Sequence, residues 1–221
     1  MNRTLNDEIL CLLDKQPLLK MFESEKEYKL SGMYEYSLEH NGFIDQGNRK
    51  IEIVVNKKFP DVLPKLFVFD YPKEMEHIYV DGSVCLATIG EMINFINKTP
   101  SLLAFVDKFI NSFIFSLDWF EKYKSYPFGE REHGYKGLLD YYLNDLNLTF
   151  EQYKKMLLII ANNRYRGHSQ CICGSNKRLR DCHGKFILPI IKNEILKNMF
   201  LYEGYLILTE DGKNDKNKSA K

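Results

Sequence analysis

Two groups of cysteines in this chain have the surroundings to do chemistry. Cys85 lies in the run His77-Ile-Tyr-Val-Asp-Gly-Ser-Val-Cys85-Leu86. A thiol flanked by the small residues Gly82 and Ser83 leaves room for an extended tail, and a free cysteine is already a few per cent thiolate at neutral pH. The chemistry this suits is acyl transfer through a thioester on Cys85. The competing reading is a small apolar residue packed in the interior, which is what Cys11, on the apolar side of the first helix, is expected to be. The second group is Cys171-Ile-Cys173-Gly174-Ser175, then Cys182-His183. Two thiolates on a tight turn plus a Cys-His pair supply four ligands to a tetrahedral zinc, here Cys171, Cys173, Cys182 and His183, with His168 as the alternative histidine. Four protein ligands leave no open position, so the expected metal is structural.

A basic flank surrounds the second group: Arg164, Arg166, Lys177, Arg178, Arg180 and Lys185, with Tyr165 among them. Such a flank could bind phosphate or an acidic protein surface, or be a solvated face. The chain carries 31 basic and 30 acidic side chains, a formal net charge of +1, so no global field draws it to nucleic acid and no nucleic-acid partner is expected. Any such role would have to be local.

These residues need elements to position them. The chain's 221 residues, 44% hydrophobic and rich in Phe and Tyr, allow one full domain and a small appendage. Leu5, Ile9, Leu12 and Leu13 share a helical face, with Pro17 near its end. Strand patterns follow at Tyr28 to Leu38, Lys50 to Asn56 and Lys65 to Asp70, joined by links too short for a parallel crossover, which makes the sheet an antiparallel meander. Asn41 to Asn48 and Lys57 to Pro64 read as the turns between them. Tyr71 to Lys98 has no strong period and reads as a long irregular segment holding Cys85.

Thr99 then reads as a helix cap with Pro100 at the first helical position. Leu102, Val106, Phe109, Ile110, Phe113 and Leu117 predict a long amphipathic helix to about Lys122. Shorter helices are expected over His133 to Leu146, from Thr149, and over Phe186 to Leu201. The expected domains are 1–147, 148–205 with the zinc motif at 168–184, and a disordered charged tail over 211–221. Met1 to Lys20 has no apolar core ending in a cleavage site, and the most apolar stretch, Ser101 to Phe120, is interrupted by charges. With five cysteines, three of them clustered, the expected compartment is the cytoplasm, with no membrane contact.

The order of these pieces resembles the ubiquitin-conjugating (UBC) fold. Phe59-Pro60-Asp-Val-Leu-Pro64, His77-Ile78-Tyr79, Gly82-Ser83-Val84-Cys85-Leu86 and Thr99-Pro100 carry the likeness. It covers roughly residues 1–150. Asp118-Trp119-Phe120, Tyr126-Pro127-Phe128-Gly129-Glu130-Arg131 and His133-Gly134 are similar to bacterial members found in antiphage operons of the CBASS type. The resemblance implies an α+β class: an N-terminal helix, a four-stranded antiparallel meander and a long packing helix. It also implies a cysteine-thioester aminoacyltransferase with Cys85 as nucleophile. The passenger would be a ubiquitin-like protein or the neighbouring cGAS-like nucleotidyltransferase. An activating enzyme, if used, would be supplied separately, because the chain has no Gly-x-Gly-x-x-Gly of its own.

The family's usual His-Pro-Asn is His77-Ile78-Tyr79 here, so the asparagine that supports the oxyanion is missing. His77 is then expected to brace the turn, and Tyr79, Thr88 or a backbone amide to stand in as donor. A catalytically inactive adaptor that holds the partner without covalent chemistry is the alternative. The second cysteine group resembles the SEC-C zinc motif, a small helical zinc knuckle.

Overall fold

A computed structural model describes residues 3–40, 42–70, 78–79, 81–125, 127 and 135–218. It is an α+β structure built on one four-stranded antiparallel sheet in the order β1-β2-β3-β4. The chain divides into two compact units that are not consecutive halves. One comprises Met1–Ala87 and Lys98–Glu130; the other, Thr88–Asn97 and Arg131–Lys221. Residues 88–97 and 131–147, expected with the first domain, thus go with the second unit.

The first unit starts with α1 (Leu5–Lys15), capped by Thr4, whose hydroxyl accepts from Asp7 N while the Asp7 carboxylate accepts from Thr4 N. β1 (Leu19–Glu23), β2 (Glu27–His40), β3 (Phe43–Asn56) and β4 (Lys65–Val68) follow. β1 is a strand that the residue pattern does not predict, since the first strand read from it starts at Tyr28. The β2–β3 hairpin is longer than predicted. It pairs from Glu27↔Asn56 to His40↔Phe43, so most of the stretch read as a turn is paired strand.

Alternation places Leu30, Tyr34 and Tyr36 of β2 and Ile51, Ile53 and Val55 of β3 on the buried face. Against them lie Ile9 and Leu12 of α1 and Leu102, Val106, Ile110, Ile114 and Phe115 of the long helix. That helix comprises α3 (Leu102–Phe105), a π-helical run Val106–Asn111 and α4 (Ser112–Tyr123). Its cap is Ser101, whose hydroxyl accepts from Ala104 N at 3.3 Å, and not Thr99, which precedes it by two residues. Glu8 of α1 reaches the same end: its buried carboxylate accepts from the amides of Leu102 and Leu103.

The polar seam of this unit runs from sheet to helix. Asp118 on α4 accepts the Tyr36 hydroxyl at 2.6 Å and Arg49 Nε at 2.8 Å. Arg49 also bonds the Asp70 carbonyl at 2.8 Å and pairs with Glu121. Burial raises the Tyr36 hydroxyl well above the ordinary tyrosine range, with the Asp118 charge adding to the effect.

The second unit is helical. The segment read as irregular ends in a helix, α2 (Ile89–Lys98), whose Ile89, Met92, Ile93 and Ile96 recur at helical spacing and are buried. α5 (Tyr135–Asp140) leads into a π-helical run Tyr141–Asp145. α6 (Phe150–Ala161) starts from a Thr149 cap closed by Gln152. The helix expected over Phe186 to Leu201 is two helices, α7 (Gly184–Lys192) and α8 (Glu194–Lys218), broken at Asn193. The Asn193 side chain explains the restart, since its Oδ1 accepts from the amides of Ile195 and Leu196 at 3.0 and 3.1 Å. α8 continues through Lys218, into the stretch read as a disordered tail.

The core of this unit is aromatic. Tyr142 packs on Tyr153 with ring centroids 4.5 Å apart and edge-on to Phe200 at 5.7 Å. Buried among these rings is Glu203 of α8. It accepts from Ile89 N at 2.7 Å and from the Tyr142 hydroxyl, which in turn accepts from Gly90 N at 3.1 Å. Glu203 therefore holds the N-terminus of α2, which is why that helix belongs with α8. No helix among the described residues is long and apolar enough to cross a membrane.

Candidate functional site

Cys85 follows a small turn pinned to the sheet. Ile78 bridges Val84, Tyr79 N donates to Ser83 O at 2.8 Å, and Gly82 N donates to Tyr79 O at 2.9 Å. Gly82 has φ +84, a left-handed conformation that a side chain would strain. The Asp81 carboxylate braces the turn, accepting from the Ser83 hydroxyl at 2.6 Å and pairing with Lys65 of β4 at 2.7 Å. Lys65 first, then Ser83, hold that carboxyl down to about 2. Val84 N bonds Leu66 O at 2.8 Å, locking the turn to β4.

Because Val84 is turned into the core, Cys85 is left half-buried at the edge of the unit. The Tyr79 hydroxyl donates to Cys85 Sγ at 3.3 Å, and Sγ lies 3.6 Å from the Ala87 carbonyl. Of the supporting residues named from the sequence, Tyr79 is thus on the sulfur. Thr88 is buried, and its hydroxyl accepts from Glu91 N at 3.1 Å, capping α2. His77 lies outside the described residues.

The other cysteines converge. The ligand atoms of Cys171, Cys173, Cys182 and His183 all lie within 4.8 Å of one another and could bind a metal ion. Cys173 Sγ and Cys182 Sγ are 3.7 Å apart, and His183 Nδ1 is 3.2 Å from Cys171 Sγ and 3.3 Å from Cys182 Sγ. Bonds of ~2.3 Å to sulfur in a tetrahedron put sulfurs ~3.8 Å apart, so the donor set fits such an ion. His183 Nε2 lies 2.7 Å from the Leu146 carbonyl, which fixes the ring and leaves Nδ1 for the metal. His168 is exposed and outside the cluster.

Backbone bonds form the turn that carries these donors. Cys171 N bonds Lys177 O at 2.9 Å and Gly174 N bonds Cys171 O at 3.2 Å, curling 171–177 into a knuckle. Gly184 then allows the next helix to start directly under it, since a side chain there would lie 2.4 Å from Leu179 O. Burial pushes the Cys171 thiol up to about 11. At Cys173 burial also opposes ionisation, but the Ser175 hydroxyl and amide and the neighbouring thiols outweigh it and bring the thiol down to about 6.

The buried Glu203 network was not anticipated. Burial lifts the Glu203 carboxyl to about 7, against the pull of the Tyr142 hydroxyl and the α2 amides. Tyr153 Oη is buried beside it with no hydrogen-bond partner among the described residues. A signal existed in Phe200-Leu-Tyr-Glu203-Gly-Tyr-Leu206, a lone acid in an apolar helical run. Its partners 61 and 114 residues away had none.

The fold and sites define an α+β protein with a half-buried cysteine at the sheet edge and a Cys/His cluster of metal-site geometry. No family model, curated protein or solved structure matches the chain.

Proposed function

We propose that the first unit is a ubiquitin-conjugating-like acyl carrier working through Cys85. The observation that carries this reading is the setting of that thiol: half-buried, next to a turn locked to β4, with a tyrosine hydroxyl 3.3 Å from the sulfur. The Cys85 thiolate attacks the thioester carbonyl at the C-terminus of a partner protein, forming a new thioester and releasing the donor thiol. An amine then attacks that carbonyl, the C–S bond breaks with the Cys85 thiolate leaving, and the amine gives up its proton to solvent as the amide forms. Each attack puts negative charge on the carbonyl oxygen. Tyr79 takes the oxyanion-donor role that the missing asparagine would hold, because its hydroxyl already points at the reacting atom. The passenger is a ubiquitin-like protein or a cGAS-like nucleotidyltransferase, in antiphage defence in the cytoplasm.

In the second unit Cys171, Cys173, Cys182 and His183 would hold zinc. Bound there, the ion supplies folding energy and no Lewis-acid step, since four protein donors close its coordination shell.

The test is the intact mass of the protein isolated without reductant from cells co-expressing its operon neighbours, with Cys85→Ser and Cys85→Ala alongside. The expected result is a thiol-labile adduct on the wild type, a stable ester on the serine variant and none on the alanine variant. No adduct on any form, with the partner still co-purifying with the alanine variant, would replace transfer by an adaptor role.

A further inference from the structure

The chain uses lysine as its general cation, with 24 Lys against 7 Arg, yet four of those arginines fall between positions 164 and 180. Arg is the cation of choice where anions are gripped by paired N–H groups, because its planar fork matches phosphate in a way an ammonium does not. The fold brings the segments that carry Arg166, Arg178 and Arg180 together, with Arg164 two residues before the first of them. Gln170 bridges Arg178, Leu179 N bonds Ser169 O at 2.8 Å, and Arg180 N bonds Gly167 O at 3.0 Å, so 166–170 and 178–180 run side by side. Arg164, Arg166, Arg178 and Arg180 are all exposed, whereas Leu179 and Cys171 between them are buried. The metal knuckle is the scaffold that keeps these side chains on the outside.

The charge is segregated as well as exposed. Residues 164–185 hold six Lys and Arg and a single acid, Asp181, in a chain whose total is +1. Asp181 pairs only loosely with Arg180, at 3.7 Å between two exposed side chains, and such a pair is worth little in water. Two kinds of polyanion could answer such a face: a nucleic acid or an acidic protein surface. Protein interfaces take most of their energy from buried aromatic and aliphatic anchors, and none of the exposed large apolar side chains of the described residues lies within 164–185. Interfaces with phosphate backbones are polar and dominated by Arg and Lys.

We propose that the outer face of the metal knuckle binds the phosphodiester backbone of nucleic acid, without base specificity, through Arg164, Arg166, Arg178 and Arg180. This site is independent of Cys85. The experiment titrates labelled single-stranded RNA, single-stranded DNA and duplex DNA, each about 16 nucleotides long, with the metal-loaded full chain at several salt concentrations. Four phosphate contacts to a single strand predict log K falling against log salt with a slope of about −3.

Arg178→Ala with Arg180→Ala is expected to halve that slope and weaken binding about tenfold at moderate salt. Arg178→Lys with Arg180→Lys is expected to keep the slope and lose affinity, because charge remains while the paired N–H grip does not. Lys20→Ala with Lys26→Ala, exposed in the other unit, is expected to leave binding unchanged. Metal content equal to wild type certifies that each variant retains the knuckle. The three probes decide which strand form the face prefers. The proposal is overturned if none of them binds at low salt, if the lysine control weakens binding as much as the arginine pair, or if a polyglutamate peptide binds where nucleic acid does not.

Discussion

Cys85 and Cys182 are both partly buried cysteines, yet the molecule treats them in opposite ways. Cys182 is one of four donors that lie within 4.8 Å of one another on a knuckle closed by backbone bonds. Cys85 has a tyrosine hydroxyl at 3.3 Å and a backbone carbonyl at 3.6 Å, on a turn whose rigidity comes from Asp81, Lys65 and Leu66. In the knuckle four donors are gathered into a group that could bind a metal ion, whereas at the sheet edge a single cysteine sits on a braced turn.

That contrast is broken most directly by Cys182→Ser. A structural zinc in a small module contributes an apparent ~10–16 kcal/mol to folding, so removing a ligand is expected to abolish metal binding and unfold 164–192. Metal analysis should fall from one equivalent to none, and hydrogen exchange across 164–192 should lose its protection while β2 and β3 keep theirs. A chelator should reproduce the effect on the wild type. Full protection in the metal-free protein would mean that the knuckle stands without its ion.

The first unit has its own lock, made of ion pairs. Arg49 and Asp118 are each only 11% exposed, and Arg49→Ala leaves the Asp118 carboxylate buried with the Tyr36 hydroxyl as its side-chain donor among the described residues. Breaking such a pair costs about 3–5 kcal/mol, seen as a lower midpoint of denaturant unfolding. Arg49→Met with Asp118→Leu should recover most of it, because an apolar pair carries no desolvation penalty. A single variant as stable as wild type would show that the seam is decorative.

How much of this was readable follows from how local each signal is. The knuckle was legible because its four donors lie within thirteen residues and the turn chemistry is written between them. The sheet was legible in β2 and β3, where apolar alternation runs long, and in the short β4, which starts directly after Pro64. β1 was missed because Leu19–Glu23 buries only one of its five residues. α2 is hidden in its segment although Ile89, Met92, Ile93 and Ile96 spell a helix, because the first half of that segment has no period. The Glu203 network was out of reach, since its partners are assembled by tertiary packing alone.

Glu203 supplies the second unit's counterpart to the Arg49 seam, with the Tyr142 hydroxyl and the Ile89 amide as its donors among the described residues. Its folded value of about 7 lies above the ordinary 4.5, so the folded state holds this proton more tightly than the unfolded chain. The stabilisation is complete below pH 4.5 and disappears as pH rises towards 7, a loss on the order of 3 kcal/mol. Tyr142 and Tyr153, both raised by burial, stay neutral throughout. Glu203→Gln keeps an acceptor for Ile89 N and removes the titration. The fall in unfolding free energy from about pH 5 to about pH 8 should therefore be smaller in the variant than in the wild type. Parallel profiles would assign the pH dependence to other groups.

The smallest effect sharpens the comparison most. Cys85→Ser changes one atom, at a half-buried site, and leaves the Tyr79 hydroxyl an oxygen to bond in place of sulfur. No ligand set loses a member and the Tyr79 hydroxyl keeps a partner, so stability should stay within about 0.5 kcal/mol of wild type. The same substitution at Cys182 should unfold the knuckle. A stable ester on the Cys85→Ser variant with unchanged unfolding would mean that the first unit keeps a thiol it does not need for folding. If Cys85→Ser instead costs as much as the knuckle variant, the sulfur is part of the packing, and the acyl-carrier reading loses its main support.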